Sequence, residues 1–201
     1  MFHEDAISYF NASEVLGGSE NRDMDNQLFL TPILFLLRHS IELSIKAKIY
    51  QFIENITSEK DLLDCKIILE DGQECKKKVI ESHSVQNLFS CLRYYDKSER
   101  LVSIFDDSEL AFSLSTIKEI ECIDSQSDYF RYPIGKNNQQ HKREFLSLSE
   151  DGVAADIQNG KFLFLLESSN NKVIHFYTLE EKYIALVEKM RKLAYILLNK
   201  F

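Results

Sequence analysis

The strongest hydrophobic pattern in the chain is a helical one that begins at Thr31 and runs to Gln51. Apolar residues recur there at steps of three and four for about six turns, and no glycine or proline follows Pro32. Thr31 is a suitable N-cap, and proline suits the first helical position. We therefore predict a long helix from Pro32 to about Asn55. Its apolar stripe consists of Leu34, Leu37, Ile41, Ile45, Ile49 and Phe52.

A row of charged residues interrupts this apolar helix. Arg38, Glu42 and Lys46 are spaced by four residues, and His39 lies beside the row. Residues four apart are neighbours on a helix, so the row can form an exposed ladder of ion pairs worth about 0.3 kcal/mol each. Because leucines and isoleucines surround it, the row can instead be partly buried, and buried charges need partners. Those partners would lie elsewhere in the chain or on another subunit.

Four shorter helices are predicted on either side of the long one. Ser84 can cap a helix, and so can one of the residues from Asp106 to Ser108. The segment from Thr178 to Glu181 has the spacing of a capping box and precedes the last helical pattern. We expect the four helices to span residues 1–16, 84–96, 107–123 and 178 to the C-terminus.

Two short β regions complete the pattern. Asp71-Gly72 is a strong two-residue turn signal and predicts a hairpin near 62–78. Asn159-Gly160 separates Phe145–Leu148 from the apolar run Lys161–Glu167, which predicts an antiparallel hairpin or a three-stranded meander near 143–168. The expected fold is mainly α. It is one domain over residues 1–201, a bundle of four to five helices with one or two small β-hairpin insertions.

Composition and charge narrow the function classes. With 44% hydrophobic residues among 201, the chain can build a sizeable core. A net charge of −8 and a pI near 5.2 argue against broad, non-specific binding of nucleic acid or anionic membranes. No apolar run approaches the roughly 18 residues of a transmembrane helix. The first ten residues are acidic, whereas a signal peptide begins with basic ones, so we expect a cytoplasmic protein without membrane contact.

Local motifs give no support for a metal or a cofactor. The four cysteines, 65, 75, 91 and 122, form no C-x-x-C pair and have no neighbouring histidine pair. The chain also lacks the glycine-rich phosphate loop, the dinucleotide fingerprint, the serine-hydrolase elbow and the zincin motif. We therefore expect neither metal nor cofactor, and reduced cysteines.

Three separated segments resemble the HEPN family, the small helical domains of prokaryotic toxin–antitoxin and antiviral defence systems. Glu42–Ala47 (ELSIKA) is similar to the family pattern E-x-x-(L/I)-K-A on the long helix. His83–Leu88 (HSVQNL) is similar to its H-x-L-x-x-L at the start of the next helix. Phe130–Pro133 (FRYP) contains the R-Y-P that many members carry after the following helix. The order and approximate separation of the segments agree with the family, over roughly residues 28–135.

The resemblance implies a HEPN-like helical bundle that forms a homodimer and binds a protein partner from the same defence or toxin–antitoxin operon. It also implies RNA or a nucleotide as a candidate ligand. By analogy, Arg38, His39, Lys46 and Arg131 are candidates for contacts to phosphate. Arg131 can also meet Glu42 in a bidentate ion pair, which would explain a charged row on an apolar helix.

Active HEPN ribonucleases carry the motif R-x(4–6)-H, in which four to six residues separate the arginine from the histidine. No arginine in this chain has a histidine at that spacing. A site assembled across a dimer from Arg38, His39 and His83 is the remaining catalytic arrangement, although a histidine before a helix is more often a cap or packing residue. The sequence thus favours an accessory or regulatory protein, with a metal-independent endoribonuclease as the alternative.

Overall fold

The computed structural model describes residues 2–17, 30–54, 64–99, 103–124, 161–166, 173–178 and 181–200. Within these ranges the fold is mainly α, which confirms the predicted class. It contains five helices: α1 (Phe2–Leu16), α2 (Leu30–Glu54), α3 (Val85–Glu99), α4 (Asp107–Asp124) and α5 (Glu181–Leu198). Four strands form two antiparallel pairs: β1 (Lys66–Ile68) with β2 (Glu74–Lys78), and β3 (Lys161–Leu166) with β4 (Val173–Thr178).

Helix α2 is the element on which the core is assembled. It begins two residues before the predicted Pro32 and packs against α1, α3 and α5. Every residue of the predicted apolar stripe is buried, so the period of three and four identified the core face correctly. The facing helices complete the core with Phe89 and Leu92 from α3 and with Met190 and Leu193 from α5.

The predicted N-caps of α3 and α4 are confirmed. The Ser84 hydroxyl accepts a hydrogen bond from the Asn87 amide at 3.2 Å, which satisfies one of the free donors of the first turn. Asp106 accepts from the amides of Ser108 and Glu109, both at 2.8 Å. The Glu109 carboxylate accepts in return from the Asp106 amide at 3.1 Å, as in a capping box. These caps fix where both helices begin.

The turn of the first hairpin lies at Asp71-Gly72, as predicted, but it is one residue longer than a two-residue turn. The Leu69 amide donates to the Gln73 carbonyl at 2.8 Å, which leaves residues 70–72 in the loop. Gly72 has φ of 85°, the conformation that three-residue hairpin loops place on glycine. The loop connects strands paired in the register Lys66 with Lys78 and Ile68 with Glu74.

Replacing Gly72 with alanine should lower the free energy of unfolding by about 1 kcal/mol, because a Cβ at positive φ crowds its own backbone. A Cβ added there meets no atom within 4 Å, so the cost is conformational and not a clash. Gly72→Asn is the matched control, since asparagine tolerates the left-handed region better. In urea denaturation the natural protein should have the highest free energy of unfolding, Gly72→Asn an intermediate one and Gly72→Ala the lowest. Equal free energies for all three would contradict the positive φ of Gly72.

The second hairpin differs from the prediction. Strand β3 lies where the apolar run Lys161–Glu167 indicated, but it pairs with Val173–Thr178, in register from Lys161 with Thr178 to Leu166 with Val173. The segment Val173–Thr178 is rich in β-branched and aromatic residues and fits a strand. The hairpin therefore extends to the residue predicted as a helix cap, and α5 begins at Glu181. The predicted strand Phe145–Leu148 lies outside the described residues.

Candidate functional site

The charged row of α2 is buried in the centre of the fold. Arg38 is 0% exposed, Glu42 1% and Lys46 3%. An exposed ladder of ion pairs is therefore excluded. The alternative, in which the row finds partners elsewhere in the chain, is the one that the structure shows.

Arg38 ties three segments of the chain together. Its Nη1 donates to Glu42 Oε2 at 3.1 Å on α2, and its Nε lies 3.2 Å from Asp124 Oδ2 at the end of α4. Its Nη2 donates to the carbonyl of Asp124 at 3.1 Å and to the carbonyl of His83, just before α3, at 2.6 Å. The guanidinium also neutralises the negative end of the α4 dipole. The position of Arg38 thus depends on α2, α3 and α4 together.

Glu42 is the acceptor at the centre of this network. Lys46 Nζ donates to Glu42 Oε1 at 2.9 Å and to the Ile80 carbonyl at 3.1 Å. His83 Nδ1 lies 3.1 Å from the same carboxylate oxygen. Burial alone would raise the pKa of Glu42. The opposing effects are larger: Lys46 lowers the pKa through its charge and its hydrogen bond, and the charges of His83 and Arg38 lower it further, so that it lies below its ordinary value. Glu42 is therefore ionised in the folded protein at neutral pH.

The lowered pKa of Glu42 predicts a loss of stability in acid. A carboxyl whose pKa is lower in the folded chain stabilises the fold above its unfolded pKa, here near 4.5, and that contribution disappears as the pH falls through the folded pKa. We expect the carbon signal of the Glu42 carboxyl, followed by NMR, to titrate below pH 4.5 in the folded protein. The same signal in the urea-unfolded chain is the control, and coincident titration curves would contradict the prediction.

His83 is the member of the cluster that reaches solvent. Its side chain is 51% exposed, although one ring nitrogen contacts the buried Glu42 carboxylate. A carboxylate at one ring nitrogen fixes the tautomer and orientation of an imidazole, and the other nitrogen can then accept or donate a proton. The pair has the form of an acid–base group at the protein surface.

The other candidate residues lie apart from this cluster or outside the described residues. The ring of His39 is edge-on to Tyr9 of α1, with centroids 4.4 Å apart, and stacked on Phe35 at 5.7 Å. Arg38 and His39, adjacent in sequence, thus contact different neighbours. Arg131 lies outside the described residues, so its pairing with Glu42 and its contact to phosphate stay predictions.

Sequence reasoning missed Asp124 as a member of the site. An acidic residue at the C-terminal end of a helix is unfavourable next to the negative end of the helix dipole. Asp124 closes α4 and is buried, so its position already indicates a nearby cation. An acidic residue at the end of a helix indicates that a cation lies nearby. It does not indicate which one, and here the cation is Arg38, 86 residues earlier in the chain.

A second buried network, also missed, joins α3 to the start of α4. Asp96 Oδ2 accepts from Arg93 Nη1 at 2.8 Å and from the Ser103 hydroxyl at 2.6 Å. Its Oδ1 accepts from the Ile104 amide at 3.0 Å. Asp96 is 1% exposed and Arg93 7% exposed. The network holds residues 103–104 against α3, and its donors and acceptors are satisfied within the chain, which is typical of a structural role.

Comparison with known proteins leaves the family open. No family model, curated protein or solved structure matches the chain. Among the described residues, no group of three histidine, cysteine or acidic side chains is arranged to hold a metal ion. In the same part of the chain, no helix has both the length and the apolar character needed to cross a membrane. The resemblance to the HEPN family therefore rests on the three sequence segments alone.

Proposed function

We propose that this protein is a HEPN-like accessory or regulatory component of a prokaryotic defence or toxin–antitoxin system. It acts by forming a homodimer and binding a protein partner, and RNA or a nucleotide is a further candidate ligand. The sequence segments ELSIKA, HSVQNL and FRYP support the family. Fold-level resemblance does not by itself define an activity, so the chemistry of the buried network decides between accessory and enzymatic roles.

The observation that carries the accessory role is the burial of Arg38. A ribonuclease arginine must place its guanidinium against the phosphate that is cleaved. Arg38 is 0% exposed, and all three of its nitrogens have partners in Glu42, His83 and Asp124. Freeing it for a phosphate would break its buried ion pairs with Glu42 and Asp124, which costs several kcal/mol. This geometry favours a structural role for the arginine.

One observation favours the alternative, a metal-independent endoribonuclease with a non-standard Arg/His site. His83 is half exposed and is oriented by Glu42 at 3.1 Å. Such an imidazole is suited to take the proton of a ribose 2′-hydroxyl as it attacks the adjacent phosphate. The arrangement needs a cation at the surface to stabilise the phosphate, and the buried Arg38 does not supply one in this conformation.

Incubation of the purified protein with transfer RNA and messenger RNA tests the proposal. We expect no cleavage above that of a buffer control. Cleavage that is retained in His3→Gln but lost in His83→Gln, with an unchanged circular dichroism spectrum, would overturn the accessory role in favour of the ribonuclease. Light scattering tests the dimer separately, because one chain has a mass of 23.5 kDa and a dimer twice that.

A further inference from the structure

A groove lies between α3 and α4 beside the first hairpin. It has a volume of about 640 Å³, and its lining includes Phe89, Leu114, Ile117 and Glu121. Phe89 and Ile117 are 1% and 2% exposed and form an apolar floor, whereas Leu114 on the rim is 49% exposed. Around this floor the groove is lined by the polar side chains of Glu70, Gln86, Ser90, Lys118 and Glu121. An apolar floor with polar groups that can orient a ligand is typical of a binding site.

One face of α4 supplies most of one wall. Leu114, Ile117, Lys118 and Glu121 follow one another at steps of three, one and three residues, which places them on the same side of the helix. From Leu114 to Glu121 the wall is about 10 Å long, or two helical turns. Leu114 and Ile117 of α4 face the groove together with Phe89 of α3. A groove between two helices with apolar residues on both walls is the kind that accepts an amphipathic helix.

The carboxylate of Glu121 is one of three charged groups that line the groove, with Glu70 and Lys118. It accepts the Gln86 amide at 3.0 Å at the start of α3. Burial raises the pKa of Glu121, and neither this amide nor the charge of Arg38 compensates fully. No ion pair of Glu121 is formed within the described residues, whereas Glu70 on the other side of the groove pairs with Lys97 at 2.5 Å. A cation brought to Glu121 would offset the cost of its burial.

We infer that this groove docks a short amphipathic helix of a protein partner, with apolar side chains against Phe89 and Leu114 and an arginine or lysine at Glu121. The apolar floor favours a ligand with apolar side chains, and the carboxylate of Glu121 at one end of the α4 wall gives the helix its direction. The inference rests on the proposed partner-binding function, since it names the surface and the chemistry of that partner.

The probe is a stapled 12-residue helix with leucines at positions 2 and 5 and an arginine at position 9, followed by fluorescence anisotropy. We expect saturable binding with a Kd on the order of 10–100 μM. Leu114→Glu and Glu121→Gln should each weaken binding about tenfold, which corresponds to about 1.4 kcal/mol. A peptide in which the arginine is replaced with glutamine should bind the natural protein about tenfold more weakly. The same change in the peptide should hardly alter its affinity for the Glu121→Gln variant, because that variant already lacks the ion pair.

Two substitutions on α5 serve as matched controls for exposure and charge. Ile184→Glu replaces an apolar side chain that is 50% exposed, and Glu188→Gln replaces a carboxylate that is 67% exposed. Neither should change the Kd. Circular dichroism and the unfolding midpoint show whether the groove variants keep the fold, since glutamine can still accept the Gln86 amide.

The inference would be overturned if the peptide showed no saturable binding. It would also be overturned if the α5 control variants lost as much affinity for the peptide as the α4 variants. Hexylguanidinium binding as tightly as the peptide would assign the groove to a small organic cation and would also overturn it. These outcomes are separable from failure of the proposed function. RNA cleavage through His83 with intact peptide binding would remove the accessory role alone, whereas no cleavage and no peptide binding would remove the groove alone.

Discussion

Replacing Arg38 with methionine should lower the free energy of unfolding by about 4 kcal/mol, a large share of the stability of a domain of this size. Methionine fills much of the arginine's volume, so the loss arises from charge and hydrogen bonding. The Asp124 carboxylate loses its ion pair, and the carbonyls of His83 and Asp124 lose a donor. Glu42 keeps Lys46 as a partner, which limits the damage on α2. Urea denaturation at pH 7 measures the change.

The control for Arg38→Met is Lys66→Met. Lys66 pairs with Glu74 across the first hairpin, but the two side chains are 53% and 57% exposed. An exposed pair contributes about 0–1 kcal/mol. Adding Asp124→Asn to Arg38→Met should recover part of the lost stability, because it removes the buried carboxylate that has lost its ion pair with Arg38. Losses of similar size at Arg38 and Lys66 would mean that the buried row behaves like a surface ladder.

The long helix and its core face could be predicted from sequence because their determinants are local. The period of the apolar residues, Ser84 as a cap and Gly72 in a turn each act within a few positions of the chain. The burial of the charged row could not be decided in the same way. Arg38, Glu42 and Lys46 have the spacing of an exposed ladder, and only the positions of α3 and α4 make them internal.

The partners of the row are the part of the site that sequence could not assign. The FRYP segment directed the prediction for Glu42 to Arg131, whereas its described partners are Arg38 and Lys46 on its own helix and His83. Contacts between distant segments depend on how the helices pack, and single-sequence patterns carry little of that information. The pairing of β3 is a similar case, because Phe145–Leu148 and Val173–Thr178 are both plausible partners by composition.

Replacing Asp96 with alanine should lower the free energy of unfolding by about 3 kcal/mol, because three donors would lose their acceptor inside the protein. These donors are the Arg93 guanidinium, the Ser103 hydroxyl and the Ile104 amide. Arg93 is 7% exposed, so its charge would stay largely buried without a counter-ion. Hydrogen exchange of the Ile104 amide should accelerate more than that of amides within α2, since this hydrogen bond holds the segment before α4 in place.

Two further variants separate the charge of Asp96 from its hydrogen bonds. Asp96→Asn keeps an oxygen for the Ile104 amide but removes the charge that faces Arg93, so it should lose less stability than alanine and keep the Ile104 amide protected. Asp71→Ala is the surface control, because Asp71 accepts a backbone amide, that of Gln73 at 3.0 Å, in an exposed turn. Equal losses in Asp96→Ala and Asp71→Ala would show that the buried network does not hold α3 and α4 together. We expect Asp96→Ala to have a much lower free energy of unfolding than Asp96→Asn and Asp71→Ala. That order would show that buried charge pairing stabilises the junction between α3 and α4.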